Sequence, residues 1–169
     1  MRYAGIIEND VVNGEGVCLS VFTQGCPHRC KGCFNPETWN FNGGIEVEDM
    51  DKFIKDTVVK IRENGVHRNL SILGGEPLCE ENRHFVSLLV GVAKEAYPDI
   101  KIFLWTGYNI EDLPKNDAII QFILENVDVV IDGPYIDEER DITLKWRGSK
   151  NQRILTKEKI CDIINHKGE

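Results

Sequence analysis

The sequence predicts one α/β domain on a parallel sheet, either a partial (β/α) barrel or an open curved sheet with flanking helices. Three observations carry this. Short β-branched and apolar runs alternate with segments whose apolar residues recur every three to four positions. Successive runs start at Leu70, Lys101 and Val127, 31 and 26 residues apart, which is the length of a strand, a returning helix and the next parallel strand. Finally, 169 residues fall well short of the roughly 250 needed for a closed eightfold barrel. Crossovers of this kind are right-handed, so the strands share one sheet.

Each element has its own local reason. Val17 to Thr23 (VCLSVFT) is β-branched and apolar, a strand. From Val47, the positions Met50, Phe53, Ile54, Val58 and Ile61 repeat with the period of a helix buried on one face, and Asn64-Gly65 ends it. Leu70 to Leu73 is a strand closed by Gly74-Gly75. Phe85, Leu88, Leu89, Val92 and Ala96 share one face of a second helix that Tyr97-Pro98 terminates. Lys101 to Trp105 forms the next strand, Asp117 to Glu125 a short helix, and Val127 to Asp132 a last strand stopped by Gly133-Pro134. Gln24-Gly25-Cys26, Gly74-Gly75-Glu76-Pro77, Thr106-Gly107 and Asp132-Gly133-Pro134 therefore all follow carboxyl ends of strands. That is the rim where parallel α/β folds bind ligands.

Composition excludes several classes. With 41% hydrophobic residues the chain can bury a core, which separates it from disordered sequences. A net charge of −8 speaks against a general nucleic-acid binder, which needs a basic face. The best apolar stretch, Phe85 to Ala93, is too short for a membrane helix, and MRYAGIIENDVVNGEG lacks the continuous apolar core of a signal peptide. A reducing, cytoplasmic location is the expectation. Six cysteines then point away from a disulfide framework, the more so because Cys26, Cys30 and Cys33 crowd into eight residues.

The segment QGCPHRCKGCFN spaces these thiols as C-x3-C-x2-C, compact enough to reach one centre. A 4Fe–4S cluster with one iron left open, a structural zinc and unligated thiols all remain compatible with spacing alone. His28, between Cys26 and Cys30, would be strained as a fourth zinc ligand. GGEP, Gly74 to Pro77, reads either as an ordinary strand-to-helix turn or as a ligand cradle. In the second reading, Gly74 and Gly75 admit a close approach to the main chain and Glu76 offers acceptors suited to an ammonium group.

With CPHRCKGC followed some forty residues later by GGEP, the chain resembles the radical S-adenosylmethionine superfamily. Within it, TQGCPHRCKGCFNPETW, ILGGEPL, WTGY, VDVVIDGPY and TLKWRGSKNQRI are similar, in order, to the activating enzymes of anaerobic (class III) ribonucleotide reductase, over roughly residues 3–154. The resemblance implies one domain over 1–169, with a cluster loop at 25–35 and a C-terminal segment, 143–169, available for docking a partner. It implies that Cys26, Cys30 and Cys33 ligate one 4Fe–4S cluster. It also implies that S-adenosylmethionine chelates the open iron, that Gly32 and Phe34 lie against this cofactor, and that Gly74, Gly75 and Glu76 receive its amino group. Thr106 and Asp132 are further candidates by rim position. The implied reaction is reductive cleavage of S-adenosylmethionine to a 5′-deoxyadenosyl radical, which generates a glycyl radical on the large subunit of the reductase. A one-electron donor such as a flavodoxin would drive it. The hard chemistry belongs to the cofactor, so no protein acid or base is named.

Two other readings compete: a different radical enzyme of this superfamily acting on a small molecule, and a zinc-binding interaction module. In Thr143 to Arg153, Lys145, Arg147, Lys150 and Arg153 surround Trp146; this is either a solvated loop with one buried tryptophan or a docking surface. Cys18 and Cys161 fall in strand and helix patterns and are expected to be buried, whereas Cys79, near the rim, is less settled. His67, His84 and His166 show no ligand spacing.

Overall fold

The computed structural model of the chain describes residues 1–165. Seven strands form one mixed sheet: β1 (Arg2–Asp10), β2 (Cys18–Thr23), β3 (Ile45–Glu46), β4 (Asn69–Gly74), β5 (Ile102–Trp105), β6 (Val129–Asp132) and β7 (Arg153–Thr156). The helices are α1 (Met50–Lys60), α2 (Glu80–Ala96), α3 (Ala118–Asn126) and α4 (Lys157–Asn165). Strand order is β3-β1-β2-β4-β5-β6-β7. The central four, β2, β4, β5 and β6, are parallel, as expected from the crossover lengths. The edges are not: β1 runs antiparallel to β2 and β3, and β7 antiparallel to β6. An open sheet, not a closed barrel, is the result.

Because the central strands follow chain order, every right-handed crossover steps the same way and α1, α2 and α3 land on one face. Alternate strand residues Leu19, Val21, Leu70, Ile72, Ile102, Leu104 and Val130 turn to that face and pack with Ile54, Val58, Phe85, Leu89, Ile120 and Ile123 in one core. Caps fix where helices begin: Asp49 accepts from the Lys52 N–H, and Asp117 from those of Ile119 and Ile120. The helix anticipated from Val47 thus starts three residues later, since the Val47 N–H is taken by the Met1 carbonyl.

The other face carries no helix. The β1–β2 loop lies on it at Gly14, where a Cβ would come within 2.7 Å of Cys18 Sγ and 2.9 Å of Ser71 Oγ. Trp146 closes over this loop: its Nε1 donates to the Gly14 carbonyl (3.1 Å), and its ring meets Phe103 edge-on with centroids 5.1 Å apart. Asp10 anchors the same loop, accepting from Ser20 Oγ (2.7 Å), Asn13 Nδ2 (2.7 Å) and two main-chain N–H groups. Burial pushes its carboxyl up, but the four hydrogen bonds outweigh burial and hold it below the unfolded value of 3.8. Asp10 therefore adds stability that is present above pH 3.8 and lost as pH falls through the lower native value. Thermal melts between pH 5 and 2.5 should show a loss of stability that is shallower in Asp10→Asn.

β7 is held by charge. The Arg153 guanidinium, in β7, reaches fully buried Asp132 (Nε to Oδ1, 2.9 Å) and Glu111 (Nη1 to Oε1, 2.8 Å). Among the described residues no helix is long and apolar enough to cross a membrane.

Candidate functional site

Loops from the carboxyl ends of β2, β4, β5 and β6 converge on a cleft of ≈ 610 Å³ over the helix-free face. The loop after β2 carries the clustered thiols, and its own side chains shape it. Gln24 Nε2 donates to the carbonyls of Glu37 (3.0 Å) and Asn40 (2.7 Å), and the Gly25 N–H donates to the Thr38 carbonyl (2.8 Å), so the loop returns on itself. The Cys33 N–H bonds to the Cys30 carbonyl (3.1 Å), so the last two thiols leave one turn. Arg29, at φ 48°, and Gly32, at φ 72°, supply its left-handed steps.

All three thiols are free, partly exposed and part of the cleft wall. Main-chain N–H groups already point at two of the sulfurs. That of Asn35 donates to Cys33 Sγ (3.4 Å); at Cys26, burial pushes the thiol up against the pull of the His28 and Arg29 N–H groups. Among the described residues no three His, Cys, Asp or Glu side chains converge on the position of a single ion. A cubane spreads its ligated irons over different corners, so thiols lining a common wall suit it, whereas a tetrahedral zinc needs convergence. The donor set fits a 4Fe–4S cluster.

The second wall is GGEP. Gly74 and Gly75 both line the cleft. A Cβ on Gly75 would lie 2.3 Å from the Gly25 carbonyl oxygen, so only glycine lets the two loops touch there; the Glu76 N–H then donates to that carbonyl (2.9 Å). Glu76 lines the cleft as well. Its carboxylate is fully buried and accepts from the Leu78 N–H (2.9 Å), Thr106 Oγ1 (2.8 Å) and the Gly107 N–H (2.8 Å), and His28 Nε2 lies 2.7 Å from Oε2. A carboxylate has about four acceptor positions. These four partners occupy them, so the side chain ties the loops after β2, β4 and β5 together at the cleft wall.

Two further candidates lie off the cleft lining. Gly32 is exposed and does not line the cleft; the space a Cβ would take holds the Asp137 carboxylate, with Oδ1 at 2.4 Å. Asp132 is likewise off the cleft, committed to Arg153 and to the Ile110 N–H. Phe34 is on the wall, 54% exposed and tilted against Tyr135 at 5.3 Å, and Thr106 joins it on the lining. Cys18 is fully buried, and Cys79 is buried, with burial pushing its thiol up to about 12. Cys161 is only partly buried, because its position on α4 is not fully covered.

Residues 142–152 supply a wall that sequence reading did not place. Ile142, Leu144, Trp146, Arg147, Gly148 and Gln152 all line the cleft, so this segment is no simple solvated loop. Its polar run is a clamp: Gln152 Oε1 accepts from the Gly148 N–H (2.9 Å) while its Nε2 donates to the Gly133 carbonyl (3.1 Å), and Asn151 Nδ2 donates to that of Pro134 (2.7 Å). The final four residues of the anticipated docking segment lie outside the described residues. Among the described residues, the buried side-chain donors without a partner are Trp39 Nε1 and Arg147 Nε, and both residues border this cleft.

Comparison with known proteins agrees with this geometry. Residues 12–155 match the model of a family described as a 4Fe-4S single cluster domain. Proteins named anaerobic ribonucleoside-triphosphate reductase-activating protein are similar along most of their length. That of Vibrio cholerae is 41% identical over 159 residues, covering 91% of this chain and 97% of the relative. That of Haemophilus influenzae is 38% identical with the same coverage, and that of Enterobacteria phage T4 38% identical over 156 residues, covering 91% and 93%. Three free thiols on one wall, a glycine turn packed against the loop that carries them and identity of this extent lead to one conclusion: the chain belongs to the family of 4Fe–4S activating proteins of anaerobic ribonucleoside-triphosphate reductase.

Proposed function

We propose that this protein cleaves S-adenosylmethionine reductively in the cleft and installs a glycyl radical on an anaerobic ribonucleoside-triphosphate reductase. The observation that carries this reading is the placement of Cys26, Cys30 and Cys33 on the same cleft as Gly74 and Gly75. Cys26, Cys30 and Cys33 would hold the cluster, which would supply the one electron needed to split a C–S bond of S-adenosylmethionine into methionine and a 5′-deoxyadenosyl radical able to take hydrogen from a glycine α-carbon.

The chain's own residues bind, orient and exclude water. Gly74 and Gly75 permit close approach of the methionyl end to the main chain, and Phe34 and Trp105 provide apolar walls. The partnerless N–H groups of Trp39 and Arg147 suit an acceptor-rich ligand, which a carboxylate and a ribose both are. No side chain is given an acid or base role, because hydrogen-atom transfer requires none. A flavodoxin-type one-electron donor and a cytoplasmic, anaerobic setting complete the proposal.

Reduced protein mixed anaerobically with S-adenosylmethionine and the reductase should give the electron spin resonance signal of a glycyl radical in the reductase. Methionine release without that signal would sink the reductase as partner and favour a small-molecule substrate.

A further inference from the structure

We infer that His28 is a positioning residue that fixes the arc of the cluster loop, by clasping it to the rim of the sheet before any cofactor arrives. The inference rests on the cluster being held by Cys26, Cys30 and Cys33, and is independent of what is cleaved there.

His28 sits in the loop between Cys26 and Cys30, yet its ring leaves the thiols and crosses to the neighbouring loops. Its Nε2 lies 2.7 Å from Glu76 Oε2, and against an ionised carboxylate, which only accepts, that nitrogen is the donor. Tyr108 stacks edge-on against the imidazole with centroids 4.5 Å apart. Beneath it, Gly107 leaves room by lacking a side chain: a Cβ there would lie 2.6 Å from His28 Cδ2. Glu76 is itself immobile, fully buried and held by Thr106 and by the N–H groups of Leu78 and Gly107.

The imidazole thus has a fixed partner, a fixed wall and a fixed floor, contributed by the loops after β4 and β5. The consequence falls on the loop that carries it. With Arg29 in the left-handed region at φ 48°, the segment from Cys26 to Cys30 has a backbone conformation that non-glycine residues rarely adopt alone. A clasp at its midpoint holds that conformation and sets the separation of the first two thiols. Outer partners of this kind typically matter 10–100-fold in metal retention.

The test is loss of iron from reconstituted, anaerobic protein to a ferrous chelator, followed by absorbance, with the visible and spin resonance spectra of the reduced cluster recorded beside it. His28→Ala should release iron about tenfold faster and alter the reduced-cluster spectrum. His28→Gln, whose amide can still donate to Glu76, should recover to within about twofold of wild type. Gly107→Ala, which keeps the imidazole in the sequence but fills the space its ring occupies, should behave like His28→Ala. The double variant His28→Ala/Gly107→Ala should be no worse than either single one, because both break the same clasp.

Iron release at the wild-type rate from His28→Ala would overturn the inference. So would failure of Gln to rescue, or simple multiplication of the two defects in the double variant. If His28→Ala does not fold, Gly107→Ala and His28→Gln still decide the matter.

Discussion

Alanine at Cys26, Cys30 or Cys33 strips the protein of iron and abolishes methionine release from S-adenosylmethionine. The three thiols are the cysteines that border the cleft; Cys18 and Cys79 are buried, the latter just behind the GGEP turn, and Cys161 lies on α4 off the cleft lining. Wild-type protein reconstituted anaerobically should hold about four irons per chain, with matching sulfide. Each single variant should hold well under one, and its cleavage rate should fall by more than the ~10–100-fold that follows loss of an outer hydrogen-bonding partner. Cys161→Ala serves as the control. Undiminished cleavage by any one of the three variants, or one zinc per wild-type chain in place of iron, would refute the cluster assignment.

Glu76→Ala lowers the stability of the metal-free protein by about 3–5 kcal/mol, because it leaves the donors of Leu78, Thr106, Gly107 and His28 buried together without an acceptor. In a domain of this size, that corresponds to a melting temperature roughly 10 °C lower. Glu76→Gln keeps the shape but turns one acceptor into a donor facing donors, so it should cost about half as much. The measurement is a thermal melt of apo-protein, with no ligand present. If Glu76 instead existed to receive the amino group of S-adenosylmethionine, its substitution would leave the apo-protein melt unchanged and weaken only ligand binding.

These two expectations differ in how visible they were beforehand. The cysteines announce themselves by spacing, and the glycines by their position after a strand. The hydrogen bonds of Glu76 are invisible in the sequence because a glutamate after two glycines looks the same whether its carboxylate faces a ligand or four donors of its own chain. Three of those partners (His28, Thr106 and Gly107) lie 48, 30 and 31 residues away. The surroundings of Gly32 are hidden for a similar reason: its tolerance of φ 72° is local, but the Asp137 carboxylate that forbids a side chain comes from beyond β6.

The strands divide in the same way. β2, β4, β5 and β6 are central, almost wholly buried and mostly apolar, so composition reveals them. β1 is interrupted by Gly5, and its pairing with β2 shifts register between Tyr3 and Gly5 and again between Ile7 and Asp10, which breaks the alternation a strand would show. β7 has four residues at the end of a polar loop, and Arg153 pairing with Asp132 holds it there more than any pattern of its own.

By itself, the amino-acid sequence determined the parallel core, the side of the sheet where loops meet, and the clustering of three sulfurs at that rim. All of these follow from periodicity and spacing within about forty residues. Tertiary structure alone decided which polar groups face the cleft and which are consumed in holding it open. That choice rests on hydrogen-bond saturation and on atoms filling the space beside glycines, both set by residues distant in the chain.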